Sequence, residues 1–90
     1  MLQQSPVRMV DHYLTFMEEE IIKNIVAEAV SADPAEIMAD SSFRDDLLMY
    51  TSDIRSVILN VEEEFDVKIQ DSTAETIDSV RDILEALKAL

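Results

Sequence analysis

The chain contains no cysteine, no glycine and only two prolines, and its seven bases face twenty acids. Without cysteine there is no disulfide framework, no thiolate metal site and no cysteine nucleophile. A single histidine excludes the usual histidine-based zinc sites. The absence of glycine excludes every glycine-rich phosphate loop and the glycine-containing calcium loop. No apolar run approaches the ~18 residues that would span a membrane. The N-terminus lacks a basic region followed by an apolar stretch, so no secretory signal is expected. A net charge of −13 and a pI near 4.1 argue against a nucleic-acid binder, which needs a basic face. They also argue against docking on an anionic membrane surface.

Ninety residues make one small domain, of a size that buries only about 60% of the surface exposed in the unfolded chain. Apolar residues make up 48% of it, enough for a core despite the charge. No nucleophile–base pair, carboxylate dyad or metal cluster emerges, so the chain reads as a non-enzyme. The expectation is a soluble, acidic, cytoplasmic domain that binds something.

With few helix breakers, helices are favoured. Ser5-Pro6 is a reasonable helix start, a capping hydroxyl followed by proline at the first helical position. From there Val10, Tyr13, Leu14, Met17, Ile21, Ile22, Ile25, Val26 and Val30 form one stripe at steps of three and four. Asp33-Pro34 ends this helix, because the residue before proline is pushed out of helical geometry. Residues 31–50 read as a long connection with a short helical turn near Phe43 to Leu47, capped by Ser42. Thr51 or Ser52 then caps a second helix to about Phe65, with Ile54, Val57, Ile58, Val61 and Phe65 at helical spacing. Asp71 to Glu75 make a brief helical turn. Asp78 or Ser79 caps a last helix with Val80, Ile83, Leu84 and Leu87 on its inner face.

Composition shifts near Met17. Residues 1–17 carry one base, Arg8, and one acid, Asp11, so the whole −13 belongs to residues 18–90. This divides the chain into an N-terminal helical extension, 1–17, and an acidic bundle, 18–90. The first helix, at 24 residues, is longer than a bundle built on a 15-residue second helix can cover. Self-association or docking through residues 7–17 is expected. His12, in the extension, stands at no recognisable motif spacing.

Two stretches carry a resemblance. Ser41-Ser42-Phe43-Arg44-Asp45-Asp46-Leu47 and Val61-Glu62-Glu63-Glu64-Phe65-Asp66-Val67-Lys68-Ile69 resemble the acyl carrier proteins, with their Ser-Phe-x-x-Asp-Leu turn and a second helix ending in a Leu-Glu-Glu-Glu-Phe-like run. Ile69-Gln70-Asp71, Ala74-Glu75, Ile77 and Val80 continue the likeness without a gap. The resemblance implies an all-α fold, a small four-helix bundle with a long first loop and a short third helix. It also implies a 4′-phosphopantetheine arm on a serine at the start of the second helix, whose thiol holds an acyl or aminoacyl group as a thioester. A chain without cysteine would need such an imported thiol.

The family motif at the attachment point is Gly, one residue, then Asp-Ser-Leu. In gap-free register Leu48 stands at the glycine, Tyr50 at the aspartate, Thr51 at the serine and Ser52 at the leucine. Thr51 is the attachment residue that the resemblance implies, and Ser52 is the alternative, one residue and about 100° around the helix. Each also serves as a helix cap, which needs only a hydroxyl.

Asp53, Glu62, Glu63 and Glu64 match positions at which carrier proteins meet basic partner enzymes; as a bare charge run they read as a solvated helix face. Ser56 replaces an acid common in the family, and Arg55 puts a positive charge on the same helix. The implied partners are a phosphopantetheinyl transferase and basic-surfaced acyl- or aminoacyl-handling enzymes, as in fatty acid or polyketide biosynthesis. The alternative function is an acidic docking module of carrier type that bears no arm.

Overall fold

A computed structural model describes residues 7–90, with side chains from Phe16 onward. The Ser5-Pro6 start and the side chains of Val10, His12, Tyr13 and Leu14 lie outside the described residues. Among those described the chain is all-helical: α1 (Val7–Val30), a 3₁₀ turn (Pro34–Glu36), α2 (Thr51–Phe65), α3 (Asp71–Ala74) and α4 (Val80–Lys88). This is the four-helix bundle with a long first connection and a short third helix. The 3₁₀ turn is an addition to the expected order. Asp33 caps it, its Oδ1 accepting from Ala35 N at 2.9 Å, and Pro34 needs no amide partner there.

α1 packs against both α2 and α4. Ile22 and Val26 of α1, Val57 and Val61 of α2, and Val80 and Ile83 of α4 are completely buried. The stripes in the sequence therefore meet at one core, each such side chain contributing about 1.5–3 kcal/mol by its burial. Phe65 and Leu87 lie at the core's edge, partly buried. The first connection is not a bare linker, since it buries Ile37, Phe43 and Met49. At the other extreme, Phe16 is 62% exposed and Met17 39%, so the core does not reach that part of α1. Among the described residues no helix is long and apolar enough to cross a membrane.

Phe43 is held in place from two directions. Its N–H donates to the carbonyl of Asp78 at 2.7 Å, and its carbonyl accepts from Met49 N at 2.8 Å. The turn that follows it is closed by Ser42, whose Oγ accepts from Asp45 N at 3.0 Å while its N–H donates to Asp46 Oδ2 at 2.7 Å. It remains a turn and does not become a helix. Farther back, Arg81 of α4 forms a two-pronged ion pair with Asp40, and Arg81 N donates to the carbonyl of Ala39 at 2.9 Å. The guanidinium's hydrogen bonds hold the Asp40 carboxyl below its usual range.

Three residues other than glycine take left-handed backbone: Ser31 (φ 56°), Leu48 (φ 56°) and Asp66 (φ 55°). Ser31 follows α1, and Asp66 closes α2 with its N–H donating to the carbonyl of Glu62. Aspartate tolerates this conformation through its short polar side chain. Leucine has no such compensation, and Leu48 is 77% exposed, so packing does not reward it.

Candidate functional site

The start of α2 differs from the expected capping. Tyr50, not Thr51 or Ser52, is the N-cap residue, with extended backbone (φ −84°, ψ 163°). Tyrosine cannot cap with its own side chain. Asp53 compensates from the third helical position, its Oδ2 accepting from Tyr50 N at 2.9 Å. An acid in the first turn also complements the helix dipole. Thr51 and Ser52 are therefore the first and second helical residues, both exposed, and neither hydroxyl is used as a cap. With Tyr50 at the N-cap, capping no longer offers an ordinary explanation for either hydroxyl.

Their surroundings separate the two. A groove of about 470 Å³ runs between α2 and the segment from Lys68 to Glu75, which contains α3. Thr51, Arg55, Ile58, Leu59 and Glu62 of α2 line it, a stripe at helical spacing with Thr51 at its head. Ser52, about 100° away around the axis, does not line it. Ile69 and Ala74 add apolar wall from the opposite side, and Arg44 lines the groove from the first connection.

The acidic residues divide as well. Asp53 and Glu62 are half-buried rather than free in solvent, and both are hydrogen-bonded to backbone. Glu62 Oε2 accepts from Ile69 N at 2.7 Å and so ties the exit of α2 back to the helix. Glu63 and Glu64 are exposed. The four positions thus do not form one uniform solvated face.

Sequence reasoning missed three features. The left-handed turn at Leu48 has the backbone a glycine would give, although leucine disfavours it. The reciprocal use of Asp53 was foreshadowed only by its place three residues after Tyr50. The placing of Arg44 on the groove that Thr51 and Arg55 line comes from packing between distant segments.

No family model matches the chain. An acyl carrier protein of Clostridium acetobutylicum is 41% identical over 70 residues, which cover 78% of this chain and 91% of that protein. Among solved structures, a protein of Mycobacterium tuberculosis assigned as an acyl carrier protein superposes with a TM-score of 0.74 at 26% identity, covering 80% of this chain and 96% of its own. With the helix order, the groove and this likeness together, the chain belongs to the acyl carrier protein family.

Proposed function

We propose that this chain carries an acyl or aminoacyl group as a thioester on a 4′-phosphopantetheine arm attached to Thr51, and presents it to partner enzymes. The observation that carries this reading is the position of Thr51: an exposed hydroxyl, free of capping duty, at the head of a groove. In attachment the Thr51 Oγ attacks the pyrophosphate of coenzyme A, gives up its proton and becomes an ester oxygen, while 3′,5′-ADP leaves. When bound, the arm supplies the thiol that the chain lacks. Ile54, Ile58, Leu59 and Ala74 offer apolar walls along which the acyl portion of a cargo can shelter from water.

Docking is assigned to the acidic side of α2. Glu63 and Glu64, exposed, are suited to meet Lys and Arg of a transferase or an acyl-handling enzyme, whereas Asp53 and Glu62 shape the helix ends. The chain itself catalyses no reaction in this reading and works in the cytoplasm. Residues 1–17 form an extension to the carrier domain of residues 18–90, and the exposure of Phe16 and Met17 supports a role for it in association.

A second reading, the docking module without an arm, rests on Thr51 itself. Its methyl group crowds the attacking oxygen in a way that serine would not. The two are separated by the intact mass of the protein after coexpression with a broad-specificity phosphopantetheinyl transferase. An added arm supports the carrier, and a bare chain supports the module.

A further inference from the structure

We propose that Arg55, with Arg44 across the groove, forms a phosphate seat beside Thr51. This rests on the carrier reading for its biological meaning, but the seat can be tested without it.

Arg55 is four residues after Thr51 on α2, so their Cβ atoms lie about 5–6 Å apart on one face. Long helical side chains lean toward the helix N-terminus and cover the turn before their own Cα. That lean favours Arg55 covering the turn that bears Thr51. Arg44 enters from the first connection, where its N–H donates to Asp78 Oδ1 at 3.1 Å. All three residues line the groove.

The chain has twenty acids to seven bases, a composition in which a cation readily finds a carboxylate. Lys23 pairs with Glu19 and Arg81 with Asp40. Arg44 has only a long contact to Asp78, at 3.5 Å. Arg55, like Lys68 and Lys88, has no ion pair among the described residues. The nearby Asp53 is engaged with Tyr50 N and does not line the groove. Of the acids that do, Glu62 lies eleven residues along α2, about 16 Å from Thr51 at 1.5 Å per residue, and is tied to Ile69 N. Asp71 and Glu75 lie on the opposite wall, on or just after α3, beside Lys68. Three bases and three acids line the groove, and of the bases Arg55 shares the helix face of Thr51, whose hydroxyl would receive a phosphate. Arginine's planar fork matches phosphate oxygens two at a time.

The ligand chemistry is phosphate, from either of two sources: the phosphodiester of an attached arm, or the pyrophosphate of coenzyme A as it approaches. The experiment follows the side-chain Nε–H signals of Arg55 and Arg44 by NMR. Unmodified wild type is titrated with coenzyme A and, separately, with pantetheine, which lacks phosphate. The spectrum is then taken of protein bearing the arm, using Thr51→Ser if wild type loads poorly. A response to coenzyme A but not to pantetheine establishes the seat with the donor as source. A response only in arm-bearing protein establishes it with the arm as source. Arg55→Gln should weaken coenzyme A binding up to about fivefold, in a salt-sensitive way, since the site is exposed. Neither arginine responding to coenzyme A or to the arm, while the Thr51 amide does, overturns the seat. Failure of every variant to accept the arm, with the coenzyme A response intact, overturns the carrier reading and leaves the seat standing.

Discussion

Asp78 and Ser42, thirty-six residues apart, are joined by a hydrogen bond from Ser42 Oγ to Asp78 Oδ2 at 2.6 Å. The same carboxylate accepts from Arg44 N at 3.1 Å, and the Asp78 carbonyl takes Phe43 N at 2.7 Å. The entry to α4 therefore fastens the turn that buries Phe43. Because Phe43 in turn receives Met49 N, the fastening reaches the approach to Thr51. Asp78→Ala should cost about 2 kcal/mol, the range for hydrogen bonds to a charged group. Phe43→Ala should cost about 3–5 kcal/mol through its cavity. Urea unfolding checks both. For Asp78→Ala, the amide signals of residues 43–51 should also shift, whereas those of the α1–α4 contact should not.

Leu48 offers the opposite sign. A leucine in left-handed backbone costs roughly 1–2 kcal/mol, and glycine at that position gives back part of the gain as unfolded-chain entropy. Leu48→Gly should therefore raise stability by about 0.5–1 kcal/mol, read as a higher urea midpoint at unchanged slope. A lower midpoint would mean that the exposed leucine makes a contact the turn depends on.

The exposed and half-buried glutamates should separate in experiment. Glu63→Lys should slow capture by a cognate acyl-handling enzyme, mainly through the on-rate, with little effect on folding. The effect should shrink with added salt, which screens exposed charges beyond about 8 Å at physiological ionic strength. Glu62→Gln should instead lower stability, because Glu62 accepts from Ile69 N. Capture kinetics that ignore both salt and Glu63→Lys would place recognition elsewhere.

How far the sequence reaches is visible in α2. Its span of Thr51–Phe65 follows from Ile54, Val57, Ile58 and Val61, whose spacing needs only one buried face. Its cap does not follow from residue preference, because a tyrosine occupies the position and an aspartate three residues later does the bonding. Leu48 hides its turn in the same way: the backbone is left-handed, a conformation that favours glycine, but the residue is one that propensity assigns elsewhere. The Ser42–Asp78 and Asp40–Arg81 ties join positions 36 and 41 residues apart, which local patterning does not register. The groove is legible only once Lys68 to Glu75 lie against α2. The register of its flanks puts Thr51 at the family's serine position, whereas the fact that Thr51 lines the groove and Ser52 does not depends on which side of the helix meets it.

The extension is tested by removing it. Val7–Val30 is 24 residues, about 36 Å at 1.5 Å per residue, and Phe16 and Met17 already lie outside the core. The 90-residue chain should associate in solution, and deletion of residues 1–17 should return a monomer without loss of helical folding. A monomer before and after deletion, measured by light scattering over a range of concentrations, would count against self-association.

The most direct test of the carrier reading is intact mass, with peptide mapping, after incubation with coenzyme A and a phosphopantetheinyl transferase. Wild type, Thr51→Ser, Thr51→Ala and Ser52→Ala should be compared side by side. The carrier reading predicts an arm on wild type at Thr51, faster loading of Thr51→Ser, none on Thr51→Ala and normal loading of Ser52→Ala. An arm that survives Thr51→Ala and is lost in Ser52→Ala would contradict the assignment of Thr51. A wild type that stays bare while Thr51→Ser is loaded would contradict the carrier reading itself, leaving a docking module that keeps the fold and the partner face.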